Sequence, residues 1–241
     1  MAETQNIPWR RLSVEAAAIV ASILLAFAVD AWWENRQIRV EEQQILLGLN
    51  EEFLSIREVL TRHIAFHLKD VQSLEDILIA IEDGPSKDVG ALVEFALLEM
   101  VSPSTTDIGN GTLDALLSSG RLEILTSRSL RAKLVGWERV INEVWDDQAN
   151  NAKMTFEIYL PYFVSENIPA GATMRLGDGS WSAPAKSIAE DSEAIKRLLE
   201  DERFRTLAEI RYGFKLHLTG EFESAIAAVE DILSEIEKSL N

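Results

Sequence analysis

The chain has 241 residues, enough for one or two domains, and its 40 acidic against 23 basic side chains give a formal charge of −17 at neutral pH. A surface so acidic repels phosphate backbones and anionic lipid headgroups, which argues against a nucleic-acid partner and against membrane attachment through a basic patch. The absence of cysteine removes disulfides, cysteine–zinc sites and thiol catalysis, while 47% hydrophobic residues argue for a packed core rather than a disordered acidic tail.

Residues 1–11 read as a short tail and residues 12–33 as a transmembrane helix, because such a segment rises about 33 Å, roughly one hydrocarbon core. Only Ala16–Val29 is free of charge. A run of that length also fits a buried soluble helix or the apolar part of a signal peptide, and Ala26-Phe27-Ala28 has the small-x-small form of a cleavage site. Glu15, placed where a signal peptide is most apolar, and the interfacial pair Trp32-Trp33 favour an uncleaved anchor. A carboxylate in hydrocarbon is costly unless it is paired, neutralised or facing a partner, so the face that carries Glu15 and Asp30 matters. At about 100° per residue, Ala18, Ser22, Ala26, Val29 and Trp33 fall within about 60° of Glu15, with Asp30 at the edge. The spacing of Ala18, Ser22 and Ala26 lets two helix backbones approach closely, and the expected use is a packing seam between copies. The alternatives are snorkelling of Glu15 and Asp30 toward Arg11 and Arg36, and an ion or proton path through Glu15.

The flanking charges that set orientation tie, Arg10 and Arg11 against Arg36 and Arg39. The short tail and the two arginines abutting the apolar run favour a cytoplasmic N-terminus with the large domain on the far side.

Residues 34–241 read as an acidic helical bundle, with 21 basic against 37 acidic residues once Glu3, Arg10, Arg11, Glu15 and Asp30 are set aside. From Glu34 to Asp83 apolar residues recur three or four apart (Leu46, Leu49, Phe53, Ile56, Leu60, Ile64, Val71, Leu74, Leu78, Ile81) until Asp83-Gly84-Pro85 stops them. No turn signal separates this helix from the apolar segment, and Gly48 is the one place for a bend. A short helix is expected at Asp88–Val101 after a Ser86 cap, broken by Ser102-Pro103-Ser104, and another at Thr112–Ser119 closed by Gly120. The next begins after Thr126 and reaches about Val164, with Gly136 and Pro161 as candidate interruptions. A loop covers about 165–186, and Ser187-Ile188-Ala189-Glu190 has the form of a capping box opening a last helical region to Leu240. That region repeats apolar residues at Leu207, Ile210, Phe214, Leu218, Phe222, Ile226, Val229, Leu233 and Ile236. The fold class is therefore all-α: an N-terminal transmembrane helix continuing into a long-helix antiparallel bundle.

The run VEAAAIVASILLAFAVDAWWENRQIRVEEQQILLGLNEEF, followed by TLDALLSSGRLEIL and SLRAKLVGWERV, resembles an uncharacterised bacterial family of single-pass, membrane-anchored helical proteins. The likeness covers roughly the first 55 residues and about 30 in the middle. It implies a bacterial membrane-anchored protein and carries no activity, cofactor or catalytic residue; with the flanking arginines, the expected location is the inner membrane with the C-terminal domain on the periplasmic side.

The middle motif has a structural reading, in which Asn110 or Thr112 caps a helix, Gly120 ends it in the left-handed conformation and Arg121 lies near its last carbonyls. The functional alternative is an anion cradle at Gly109-Asn110-Gly111-Thr112, but no strand precedes these glycines as a phosphate loop requires. His63 and His67, one turn apart, with His217 on the last helix, are weak metal candidates; packing in a helical interface is the plainer use, so no metal and no cofactor are expected. Trp137, Trp145 and Trp181 suit a core better than a ligand pocket. Glu51-Glu52 and Asp146-Asp147 read as a solvated face, and Glu58–Arg62, Glu193–Arg197 and Asp201–Arg205 as surface pairs. No catalytic motif is present, and the chain reads as a self-associating, membrane-anchored interaction or scaffold protein with a protein partner. A ligand-sensing bundle working through another subunit is the alternative.

Overall fold

A computed structural model describes residues 9–84, 89–101, 105–168 and 188–240. The fold is all-α, with no strand among the described residues. Helix α1 runs from Trp9 to Asp83 as one piece of 75 residues, about 110 Å long. It crosses Glu34–Arg36 unbroken, since nothing there costs helix, and stops where Gly84 takes φ 93°. Gly48 lies inside this unbroken helix. It admits a neighbour instead: a Cβ there would lie 3.2 Å from Thr112 Cγ2, on the short helix that packs against α1.

That short helix, α3 (Gly111–Ser118), follows α2 (Val89–Val101) and precedes α4 (Arg128–Met154). The proposed caps of α2 lie at Ser86 and around Pro103, outside the described residues. Ser127 Oγ accepts the Leu130 N–H at 3.2 Å and starts α4, which runs through Gly136 without a break. Pro161 does leave a mark. A proline lacks the N–H for an α-helical bond and crowds the carbonyl four residues back, and the helix widens into a π turn at Thr155–Tyr159 before resuming as α5 (Leu160–Ser165). Helix therefore extends through Ser165, and most of the expected loop, with Trp181 and Ser187, lies outside the described residues. The last helical region is two helices. Asp191 caps α6 (Ser192–Leu199) by accepting the Ala194 N–H at 3.0 Å, and α7 (Glu202–Leu240) starts beyond a break at Glu200-Asp201.

Three ion contacts fix the pairing of α1 with α7: Arg57–Glu230 at 3.3 Å, Asp70–Lys215 at 2.5 Å and Glu82–Arg205 at 3.0 Å. As numbers rise on one helix they fall on the other, so the pair is antiparallel. Lys133–Asp231 at 2.7 Å and Asp147–His217 at 3.2 Å set α4 antiparallel to α7 in the same way. Helices α1 and α4 consequently run parallel, joined by the return through α2 and α3.

The core has two parts. One gathers Leu46, Leu49, Phe53, Ile56 and Leu60 of α1 with Leu134, Trp137 and Ile141 of α4 and Phe222, Val229 and Ile236 of α7. The other gathers Leu74 and Ile77 of α1, Val93 to Met100 of α2, Tyr159, Tyr162 and Phe163, α6, and Phe204 to Ala208 of α7. Residues 13–40 of α1 pack on neither. Their side chains, where described, are all exposed, and this end contains the one helix among the described residues that is long and apolar enough to cross a membrane.

Candidate functional site

Between the two apolar cores lies a layer of buried polar side chains: His67 and Asp70 from α1, Glu99 from α2, Gln148, Asn151 and Thr155 from α4 and its π turn, and Arg211, Lys215 and Thr219 from α7. Taking charges out of water costs several kcal/mol each unless they are paired and hydrogen-bonded, so their bonds define what the layer can do.

Lys215 Nζ donates to Asp70 Oδ2 at 2.5 Å, and His67 Nδ1 lies 3.5 Å from the same oxygen. Among the described residues Arg211 bonds no carboxylate. Its Nη1 donates to Asn151 Oδ1, its Nη2 donates to the Glu99 main-chain oxygen at 2.8 Å, and its guanidinium lies 5.1 Å over the Tyr159 ring. The π turn belongs to this arrangement, because Thr155 Oγ1 bonds back to the Asn151 carbonyl at 3.1 Å and Tyr159 presents its face to Arg211. Local widening of a helix is a recurrent way to aim side chains at a site. The layer is closed on one side by a reciprocal pair: Thr106 N–H donates to Gln148 Oε1 at 3.1 Å and Gln148 Nε2 to Thr106 Oγ1 at 2.5 Å.

Glu99 departs far from ordinary behaviour. Burial, and then the neighbouring Asp70 carboxylate, push its carboxyl up to about 8. Asp70 is held below the usual carboxylate range in spite of burial, by bonds from His67 and Glu99 and by the charge of Lys215. Burial pushes His67 down, so it is neutral, and likewise lowers Lys215 and Arg211. Two oxygens, Asp70 Oδ1 and Glu99 Oε2, are buried without an N–H or O–H donor. The two carboxyls lie within hydrogen-bonding reach of each other. One proton on Glu99 satisfies both oxygens, and the pair then carries one negative charge rather than two.

The three histidines do not converge. His63 and His67 rings are 6.4 Å apart and both rest on Phe222, whereas His217 points to Asp147 on α4. Among the described residues no group of three histidine or carboxylate side chains is placed to hold a metal ion. The glycine-rich corner before α3 is filled by the chain's own carboxylate: Glu52 Oε2 accepts the N–H groups of Thr112 and Leu113 at 3.0 and 3.1 Å. Glu52 is thus a cap supplied by another helix, not part of a solvated face. Asn110 is occupied elsewhere, its Oδ1 accepting from Trp137 Nε1 at 3.2 Å. Gly120, at φ 67°, ends α3 with its N–H on the Leu117 carbonyl, and Arg121 pairs with Glu41. Trp137 is in the core, edge-on to Phe53, and Trp145 packs at its margin. Glu58–Arg62 forms at 3.3 Å. Asp201 instead accepts the Tyr162 hydroxyl at 2.6 Å, and Arg205 turns to Glu82 and Glu209.

On the projecting part of α1, Glu15, Ala18, Ser22, Ala26, Asp30, Trp32 and Trp33 all lie exposed. The Ser22 hydroxyl donates to its own Ala18 carbonyl at 2.8 Å, and Arg36 stacks 5.9 Å from the Trp32 ring centre.

Sequence reasoning missed Asp70, Glu99, Asn151, Arg211 and Lys215. A signal was there. The core positions of α1 repeat every seven residues as 46, 53, 60, 67, 74 and 49, 56, 63, 70, 77, so His67 and Asp70 stand where apolar residues are due. On α7 the apolar series through Ile210 was misleading: Ile210 is exposed and Arg211 faces inward.

The architecture is thus a long-helix bundle with a buried ionisable layer and a projecting apolar helix. No protein-family model, no curated protein and no solved structure matches the chain.

Proposed function

We propose that this protein is a membrane-anchored scaffold that self-associates in parallel along α1 and presents its acidic bundle to a protein partner. The observation that carries the reading is the exposed apolar run of α1, which joins the bundle without a break. An exposed apolar face of that extent needs lipid or protein to cover it. Its pattern supports a second helix as well. Ile19, Ala26, Trp33, Val40, Leu47 and Leu54 are exposed and stand seven residues apart, so the seam built on Ala18, Ser22 and Ala26 continues up the outer face of the bundle. A strict seven-residue apolar repeat is the register of a left-handed helix pair. Copies inserted in one bilayer meet in parallel at raised effective concentration. The reading assigns the chain no catalytic step. The resemblance to single-pass bacterial proteins and the Arg10-Arg11 flank favour an inner-membrane location with the bundle in the periplasm.

The chain has no cysteine, so single replacements report cleanly. Full-length protein in native membranes, carrying Val40→Cys or Leu47→Cys, is expected to form disulfide-linked dimers on mild oxidation, whereas Leu216→Cys on α7 is not. Equal crosslinking at all three sites, or none at the α1 sites, overturns the seam. Release of full-length protein by a high-salt wash overturns the anchor. A reporter fused to the C-terminus decides orientation, with a cytoplasmic signal reversing it.

A further inference from the structure

We propose that the buried layer is a proton-operated latch: one proton shared between Glu99 of α2 and Asp70 of α1 holds α2 onto the bundle, and its loss drives α2 away. The argument is geometric and independent of how the chain meets a membrane. Helix α2 is short, 13 residues, and Glu99 is its buried ionisable side chain, 3% exposed. Everything else on that face is apolar: Val93, Ala96, Leu97 and Met100 pack among Leu74, Ile77, Tyr159, Tyr162 and Phe163. A helix so placed docks by apolar contact and by the bonds of Arg211 and Thr155 to its main-chain oxygens, which the Glu99 proton does not enter, plus one contact that it does.

The groups that face Glu99 come from every surrounding helix. Asp70 on α1 and Lys215 and Arg211 on α7 act on its carboxyl, and His67 on α1 with Asn151, Thr155 and Tyr159 on α4 and the π turn complete the layer around them. The charges of Lys215 and Arg211 favour an ionised Glu99, but neither cation bonds its carboxylate, and Arg211 Nε is buried without an acceptor. Lys215 Nζ is already bonded to Asp70 Oδ2, and Arg211 spends Nη1 on Asn151 and Nη2 on the main-chain oxygen of Glu99. Removing the proton therefore leaves Glu99 Oε2 and Asp70 Oδ1 as two buried acceptors with no donor, in a setting where like charges repel strongly. The Glu99 carboxyl, pushed up to about 8, places this event just above neutrality. Lys215 is lowered from its ordinary value by burial, while the charge of Asp70 and the bond to it hold its proton in place. His67, already neutral, stays a bystander over this range. Displacement of α2 bares the apolar side chains around Tyr159 and Phe163, which gives the bundle a surface that depends on pH.

Hydrogen exchange on the full-length chain in detergent micelles tests this, following the amides of Val89–Val101 against those of Arg128–Met154 between about pH 6 and about pH 9, corrected for intrinsic exchange. Protection of α2 is expected to fall roughly tenfold per unit as pH rises toward about 8 and to level off above it, while α4 holds. In Glu99→Gln the amide keeps a donor for Asp70, and α2 protection should be independent of pH over the same range. Uniform loss in both helices, no loss in the wild type, or the same loss in Glu99→Gln overturns the latch. Should that variant not fold, infrared spectroscopy of the wild type decides: a protonated-carboxyl band that disappears between about pH 7 and about pH 9 supports the proposal, and the absence of such a band refutes it.

Discussion

The core around Phe53 and the layer around Asp70 lie on the same three helices, and they are held by opposite physics. Around Phe53 the contacts are Leu, Ile, Phe and Trp at regular helical spacing, with Trp137 edge-on to Phe53 at 5.5 Å. Such a core gains from every buried methylene, tolerates conservative exchange and is indifferent to pH. Around Asp70 the same positions carry His67, Asp70, Arg211 and Lys215. Here desolvation opposes burial, and what is gained is directionality and sensitivity to protons. A bundle built for stability alone could run leucine through the layer, so the comparison locates where this fold sets directionality against the cost of desolvation.

The largest effect that tests the contrast comes from breaking the ion pair. Lys215→Ala leaves Asp70 charged, buried and unpaired, and is expected to cost about 3–5 kcal/mol in chemical denaturation. Replacing the pair together, Asp70→Leu with Lys215→Met, should cost far less or even stabilise, because neither group is left to be desolvated. A double variant as unstable as the single one would show that the layer is built for stability, and would erase the distinction from the Phe53 core.

A smaller effect should appear in the pH profile. Glu99 is raised from 4.5 to about 8 in the fold, so between those values the native state holds a proton that the unfolded chain has released. Stability from this group is fully present below about pH 4.5 and is lost as pH rises through 8. His67, lowered from 6.5, works the other way: below about pH 6.5 the unfolded chain takes up a proton that the fold refuses, and that offsets the Glu99 slope. Above pH 6.5 the unfolded chain's histidine is also neutral, and Glu99 acts without that opposition. Denaturation midpoints should hold nearly level in weak acid and then decline by about 1.4 kcal/mol per unit from about pH 6.5 to about pH 8. Glu99→Gln should flatten the decline. A wild-type profile that rises over that interval would contradict the buried proton.

How much of this was legible follows from the same contrast. The all-α class, the long first helix, the Gly120 terminus and the apolar residues from Leu46 to Leu60 and from Leu218 to Ile236 could be read from spacing, because burial by the hydrophobic effect leaves a periodic trace. The polar layer leaves none of that kind. Charges at core positions look like surface charges until the partner helix is in place, and the partners of Asp70 lie 29 and 145 residues away, at Glu99 and Lys215. Glu52 was misread for the same reason, since a helix end 60 residues on is what it caps. Local signals were overruled at one helix start, where Asn110 gave up capping to bond Trp137, and at the expected Asp201–Arg205 pair, where Asp201 accepts from Tyr162; the Ser187 pattern lies outside the described residues.

The finest test concerns Gly48, which spacing marked as a bend and the structure places against Thr112. If Gly48 were a hinge, alanine would stiffen it, and the gain should equal that of any exposed helical glycine, about 0.5–1 kcal/mol. Gly136 supplies that standard within the same core region, for it sits inside α4 with nothing within 4 Å of an added Cβ. At Gly48 the added methyl meets Thr112 Cγ2 at 3.2 Å, closer than comfortable carbon–carbon contact, and α3 must shift by a few tenths of an ångström against its Glu52 cap. Gly136→Ala is thus expected to stabilise by the full propensity gain, and Gly48→Ala by distinctly less, or to come out neutral. Thr112→Ala removes Cγ2 and should restore the missing part of the gain in the double variant. Equal gains from the two single replacements would mean that α3 does not press on α1, and that the apolar core is looser at this corner than its spacing suggests.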